Sequence, residues 1–94
     1  MNPSHNYVLC IFVQSDKNRS LYIECTSDLK KRIIEHNNGD SYHTKKYMPW
    51  KLVYFEGYCS KVDAYRREKS LKYHAQGFRR LKERLQNSLN GEVM

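Results

Sequence analysis

The run YVLCIFV, Tyr7 to Val13, limits the possible folds of this chain more than any other stretch. Its residues are β-branched, aromatic or aliphatic and show no helical spacing, so it reads as a buried strand. A polar turn over Ser15 to Arg19 (SDKNR) separates it from a second strand, Ser20 to Cys25 (SLYIEC), and the two form a hairpin. In the second strand, period-two alternation places Tyr22 and Glu24 on one face and Leu21, Ile23 and Cys25 on the other.

Helical spacing takes over after the hairpin. Thr26 or Ser27 is expected to cap a helix whose first turn holds Asp28, and Asn38-Gly39 is expected to stop it. At 100° per residue Leu29 and Ile33 form its buried stripe, with Arg32 and His36 beside them and Lys31 and Glu35 turned to solvent. Gly39 to Pro49 reads as a polar loop in which His43, Lys45, Lys46 and Tyr47 interleave aromatic and basic groups. Trp50 to Phe55 (WKLVYF) alternates as a third strand ended by Glu56-Gly57. A second helix starts at Ser60, with Asp63 three residues on. Ala64, Glu68 and Leu71 share one of its faces, which puts a carboxylate within an apolar stripe and demands a compensating partner. Gly77 is expected to break the chain, and Phe78, Leu81, Leu85 and Leu89 then follow helical spacing in a third helix. The order β-β-α-β-α-α predicts an α/β (α+β layered) domain with a three-stranded antiparallel sheet flanked by helices.

A chain of 94 residues has room for one modest core, so residues 1–94 are expected to be a single domain with its core at about 7–89 and frayed ends at 1–6 and 90–94. Hydrophobic residues at 39% and charged ones at 29% argue against disorder elsewhere. The net charge of +7 is uneven, with 9 basic against 4 acidic residues in 57–94, which points to a polyanion such as nucleic acid. The outer face of the third helix, with Arg79, Arg80 and Arg84, and the loop residues Lys45 and Lys46 are the candidate contacts. Cys10, Cys25 and Cys59 are an odd number without C-x-x-C spacing, so they read as reduced, partly buried thiols and not as a disulfide framework or zinc site. No long apolar run indicates a signal peptide or membrane span, and a cytoplasmic protein is expected.

Tyr22, Arg32, His36 and Glu68 all fall on faces turned toward the sheet. Such a set suits phosphodiester cleavage: a carboxylate for one divalent metal, a guanidinium for phosphate oxygens, and tyrosine and histidine for the attacking water. The same pattern also fits an ion pair between Arg32 and Glu68, a hydrogen-bonded His36 and a packed Tyr22. Exposed tyrosines at Tyr42, Tyr47 and Tyr58 leave a protein-binding surface as a further reading.

Four segments, YIECTSDLKKRIIEH, PWKLVYFEG, AYRREKSLK and GFRRLKERLQN, occur in this order between about Tyr7 and Asn87. Together they resemble the GIY-YIG nuclease superfamily, in particular its small stand-alone bacterial members. The resemblance implies a metal-dependent endonuclease, a hydrolase of DNA phosphodiester bonds, of the kind used in DNA repair or recombination. It implies Mg²⁺ or Mn²⁺ on Glu68, with no further cofactor, and Tyr22, Arg32 and His36 as catalytic groups; Asn87 matches a late polar residue of the family. Two positions depart from the pattern. The tyrosine that closes the first motif falls at Leu9 or Cys10, with Tyr7, two residues before Leu9, as the candidate replacement. Glu24 stands where the family has glycine, and its charge either repels phosphate or adds a metal ligand; weakened activity is the expectation. A catalytically degenerate nucleic-acid-binding domain is the alternative the resemblance allows.

Overall fold

Cys10, Ile11, Phe12 and Val13 are four consecutive residues, none more than 1% exposed. Successive strand residues point to opposite faces, so this strand must be covered on both sides and lie at the centre of its sheet. The computed structural model, which describes residues 7–91, has that arrangement. Strands β1 (Val8–Ser15), β2 (Leu21–Thr26) and β3 (Trp50–Tyr58) form one antiparallel sheet in the order β2-β1-β3.

Helix α1 (Leu29–Asn38) lies over one face, where Leu29 and Ile33 pack with Ile11, Val13, Tyr22 and Trp50. Helices α2 (Lys61–Tyr73) and α3 (Ala75–Arg84) cover the other, where Leu71 and Leu81 close over Cys10, Phe12 and Ile23. A short α4 (Gln86–Leu89) follows, and the Arg19 guanidinium of the β1–β2 turn donates to its Leu89 carbonyl at 2.8 Å. No helix among the described residues is long and apolar enough to cross a membrane.

Several boundaries differ from those the sequence predicts. Asp28, and not Thr26 or Ser27, caps α1: its carboxylate accepts from the Lys31 N–H at 3.1 Å, while Thr26 Oγ1 accepts from the Asp28 N–H. Gly39 ends α1 as expected, at φ 78, a conformation glycine takes without steric cost. Glu35 does not simply face solvent; it lies 3.6 Å from Arg32. β3 runs past Glu56-Gly57 to Tyr58 and carries a register shift against Phe12 and Val13, so Val53 and Tyr54 both join the α2 side of the core. Gly77 lies within α3, and the break comes instead at His74, whose extended backbone separates α2 from α3. Leu85 divides the predicted third helix in two. Of the predicted loose ends, residues 1–6 and 92–94 lie outside the described residues, and Asn90 caps α4. All three cysteines are free, with Cys10 buried, Cys25 half-buried and Cys59 exposed.

The register shift brings Glu56 under α2. Its carboxylate accepts a two-pronged bond from Arg67 at 2.9 and 3.0 Å, and bonds from the hydroxyls of Tyr58 at 2.6 Å and Tyr54 at 3.1 Å. Burial raises the Glu56 pKa, but the bonds from Arg67 and the two tyrosines outweigh it and hold the group below its ordinary 4.5. A carboxyl depressed in the folded state contributes stability above its unfolded pKa and loses it as pH falls through the folded value. Thermal denaturation of Glu56→Gln is therefore expected to show a lower midpoint than the native chain at neutral pH and a flatter decline below about pH 4.5. Gly77 has open space around its Cβ position, so Gly77→Ala is expected to raise stability by about 0.5–1 kcal/mol in urea denaturation.

Candidate active site

Edge strand β2 presents Tyr22 and Glu24 to α1, and one α1 turn places Arg32 and His36 on the edge facing them. Arg32 Nε donates to Glu24 Oε1 at 2.6 Å and Nη2 to Oε2 at 2.9 Å, a fork-to-fork pair. His36, with 0% exposure, contacts Glu24 Oε1 through Nε2 at 2.5 Å and Thr44 Oγ1 through Nδ1 at 2.7 Å. A carboxylate only accepts, so Nε2 donates to Glu24, and Nδ1 shares its hydrogen bond with the Thr44 hydroxyl. Arg32 Nη2 also reaches Ser41 Oγ at 3.3 Å. The bond to Glu24 chiefly pushes the Arg32 pKa up, against the opposing effect of burial.

The polar loop after α1 is thus built into this network. Thr44 is fully buried; its carbonyl accepts the Trp50 indole N–H at 2.7 Å. The Asn37 side-chain amide pairs with both the N–H and the carbonyl of Trp50, at 2.7 and 2.9 Å. Tyr22 completes the group, its ring edge-on to His36 at 5.8 Å and to Trp50 at 6.4 Å between centroids.

Glu68 approaches β2 from the opposite layer. Burial and then the hydrogen bond the thiol donates to Glu68 push Cys25 up to about 12, which locates the carboxylate against the α2 side of the strand. Its compensating partner is Lys72, one helical turn on, at 2.7 Å. The Lys72 ammonium also lies 6.0 Å from the centre of the Tyr22 ring. The bond to Glu68 raises the Lys72 pKa foremost, with Tyr22 and Glu24 adding to it. Lys72 therefore reaches around the sheet edge and ties Glu68 to the group on the far face.

The four predicted residues are gathered about β2, but their pairings differ from the sequence expectation. Arg32 pairs with Glu24 and not with Glu68, because the sheet stands between them. Both Glu24 oxygens are occupied by Arg32 and His36, so it is a brace for α1 and not an open metal ligand. Of the positions matched to the first-motif tyrosine, Leu9 shares the Tyr22 face, whereas Cys10 points into the α2 core. Tyr7 precedes β1 and is 43% exposed. Asn87 is exposed on α4. Lys45 and Lys46 belong to the α1 layer, with their ammoniums over the rings of Tyr42 and Tyr47, while Arg79, Arg80 and Arg84 are exposed on α3 in the other layer. Sequence reasoning missed Thr44, Ser41, Trp50 and Lys72. Only Lys72 left a signal, the Glu-to-Lys spacing of four on one helix.

A family model described as the GIY-YIG catalytic domain matches residues 7–85. The chain belongs to the GIY-YIG family. Among its relatives, a UPF0213 protein of Staphylococcus saprophyticus is 41% identical over 63 residues, 66% of this chain and 77% of that one. A UPF0213 protein of Clostridium perfringens is 43% identical over 68 residues, 71% of this chain and 70% of its own length. The structure-specific endonuclease subunit slx1 of Schizosaccharomyces japonicus is 36% identical over 64 residues, covering 62% of this chain and 23% of that protein. No solved structure matches the chain. Membership in the GIY-YIG family makes this a nuclease-family fold.

The Glu24 side chain is 12% exposed, and an amide in its place keeps one acceptor oxygen but loses the charge and turns an NH2 donor toward Arg32 or buried His36. Glu24→Gln is expected to cost about 3 kcal/mol, since breaking a buried ion pair from one side costs about 3–5 kcal/mol and Arg32 retains some access to water. Urea denaturation of the variant beside the native chain measures this.

Proposed function

We propose that this chain is an endonuclease that hydrolyses DNA phosphodiester bonds with Mg²⁺ or Mn²⁺ on Glu68, and that Glu24 restrains its rate. The observation that carries this reading is that Tyr22 and Arg32 on one side of edge strand β2 and Glu68 on the other are bridged by Lys72, which bonds to Glu68 and lies over the Tyr22 ring. The endonuclease name of the Schizosaccharomyces relative supports it, and DNA repair or recombination is the process such an activity would serve.

The donor chemistry of Glu68 fits the metal. Its carboxylate supplies hard oxygen, and Mg²⁺ is commonly held by one or two carboxylates with substrate phosphates and water completing the shell. Among the described residues no three His, Cys, Asp or Glu side chains converge, so the site is of that open kind and not a protein cage. When bound, the ion polarises the phosphate and stabilises the leaving oxygen.

The chain's own residues do the remaining work. Lys72 exchanges its bond to Glu68 for a phosphate oxygen, keeping a positive charge beside the Tyr22 ring. Arg32 keeps Nε and Nη2 on Glu24, and its Nη1, 3.6 Å from the Glu35 carboxylate, exchanges that contact for the phosphate. Tyr22 orients the attacking water through its hydroxyl. His36 has both nitrogens engaged, so it positions the Glu24–Arg32 pair and does not touch the water. The expected restraint follows: a guanidinium already neutralised by a carboxylate stabilises growing phosphate charge less than a free one.

The Glu24–Arg32 pairing also favours a second reading, a domain that binds DNA without cutting it. Nicking of supercoiled plasmid and of branched DNA in Mg²⁺ or Mn²⁺ separates the two. Slow nicking by the native chain is expected, with loss in Glu68→Ala and an increase of about tenfold in Glu24→Gly once circular dichroism confirms its fold, equivalent to about 1.4 kcal/mol of transition-state stabilisation. If neither the native chain nor Glu24→Gly nicks any form with either metal while salt-sensitive binding persists, the binding reading replaces the nuclease one.

A further inference from the structure

The outer face of α2 carries two tyrosines that neither core cluster uses. Tyr65 is 48% and Tyr73 74% exposed. They are eight residues apart, about 12 Å along the helix axis, with Lys69 four residues from each. Between them a cleft of about 270 Å³ is lined by Tyr65, Glu68, Lys69, Lys72 and Tyr73. The Lys61 ammonium lies 5.6 Å from the centre of the Tyr65 ring, at the N-terminal end of this stripe. Beyond Lys72 and Tyr73 a second cleft, of about 380 Å³, has an apolar floor of Ile23, Leu71 and Phe78.

Resting on the DNA-directed reading above, we propose that this face of α2 is a track for an unpaired DNA strand, whose bases stack on Tyr65 and Tyr73 while Lys61 and Lys69 meet its phosphates. Exposed rings interleaved with ammonium groups provide the two things a single strand offers contacts for, a π-face and a phosphate. A duplex keeps its base faces inside its own stack, so the rings add affinity only for an unpaired strand. Glu68 opposes phosphate within the cleft, but Lys72 at 2.7 Å balances that charge and leaves Lys61 and Lys69 as the positive surplus. The track crosses Glu68 between the two rings, so a strand seated on it passes its backbone over the proposed metal ligand. The structure thus selects single-stranded or flapped DNA as the substrate class. Arg79, Arg80 and Arg84 on α3 have no comparable rings between them and would hold single and double strands alike.

Fluorescence anisotropy of a labelled oligothymidylate and of a duplex of equal length, titrated with the full chain without divalent metal, tests this. The native chain is expected to bind the single strand more tightly. Tyr65→Ala and Tyr73→Ala are each expected to weaken single-strand binding by about tenfold and leave duplex binding unchanged, a stacked base being worth about 1–3 kcal/mol. The phenylalanine variants, which keep the rings, are expected to bind as the native chain does. Lys61→Ala with Lys69→Ala should lower the salt slope for the single strand by about 1.4, at about 0.7 per phosphate contact. Unchanged single-strand binding in both tyrosine-to-alanine variants, with binding lost on neutralising Arg79, Arg80 and Arg84, overturns the track and leaves the DNA-directed reading in place. Failure of the native chain to bind either DNA overturns both.

Discussion

A carboxylate on a strand that faces a helix must find partners or leave the interior, and the Glu24 carboxylate finds two. Arg32 and His36 both bond to it from α1, and His36 passes the network on to Thr44. Thr44 in turn receives Trp50, whose backbone is held by Asn37 at the end of the same helix. One half-buried charge therefore links α1, the loop after it and the start of β3 through a continuous chain of hydrogen bonds. The low dielectric that makes an unpaired charge costly also strengthens each bond of this network.

The sheet separates the molecule into two chemical layers. On the α1 side Glu24, Arg32, His36 and Thr44 bond to one another. On the α2 side Glu68 and Lys72 pair across one helical turn and remain accessible to solvent, with Lys72 44% and Glu68 19% exposed. Edge strand β2 is thin enough for a lysine to reach around, and Lys72 brings the two layers into contact beside Tyr22. A carboxylate that holds an arginine and a lysine that holds a carboxylate are opposite uses of charge on the two sides of one strand. The first stabilises the domain at the expense of a free guanidinium, and the second pairs a half-buried carboxylate with an exposed ammonium.

Much of the fold could be read from residue order. The continuous apolar run of β1, the alternation in β2 and the 3.6-residue spacing of α1 and α2 are local patterns, and each led to the right element. Boundaries were less legible, because caps and breaks depend on competing local bonds: Asp28 displaced Thr26 and Ser27 as the cap, and His74 displaced Gly77 as the break. The register shift at Val53 has no local signature, since the extra residue is defined only by the strand it pairs with. In the candidate site, Tyr22, Arg32, His36 and Glu68 could be listed from motif resemblance, yet their pairings could not. Arg32 and Glu68 carry opposite charges and suited one another on paper; only the intervening sheet keeps them apart.

By itself the sequence determined the kind of sheet, the face of β2 that Tyr22 and Glu24 share, the GIY-YIG resemblance and the presence of an odd glutamate within it. Those properties rest on period, side-chain volume and residue identity, all of which are local. Tertiary structure decided that Glu24 braces Arg32 and His36, that Thr44 and Trp50 belong to the same network, and that Lys72 compensates Glu68 while reaching Tyr22. Hydrogen bonds and ion pairs act over about 3 Å, so which partner a charged group takes depends on distances that exist only after β2, α1 and α2 have packed.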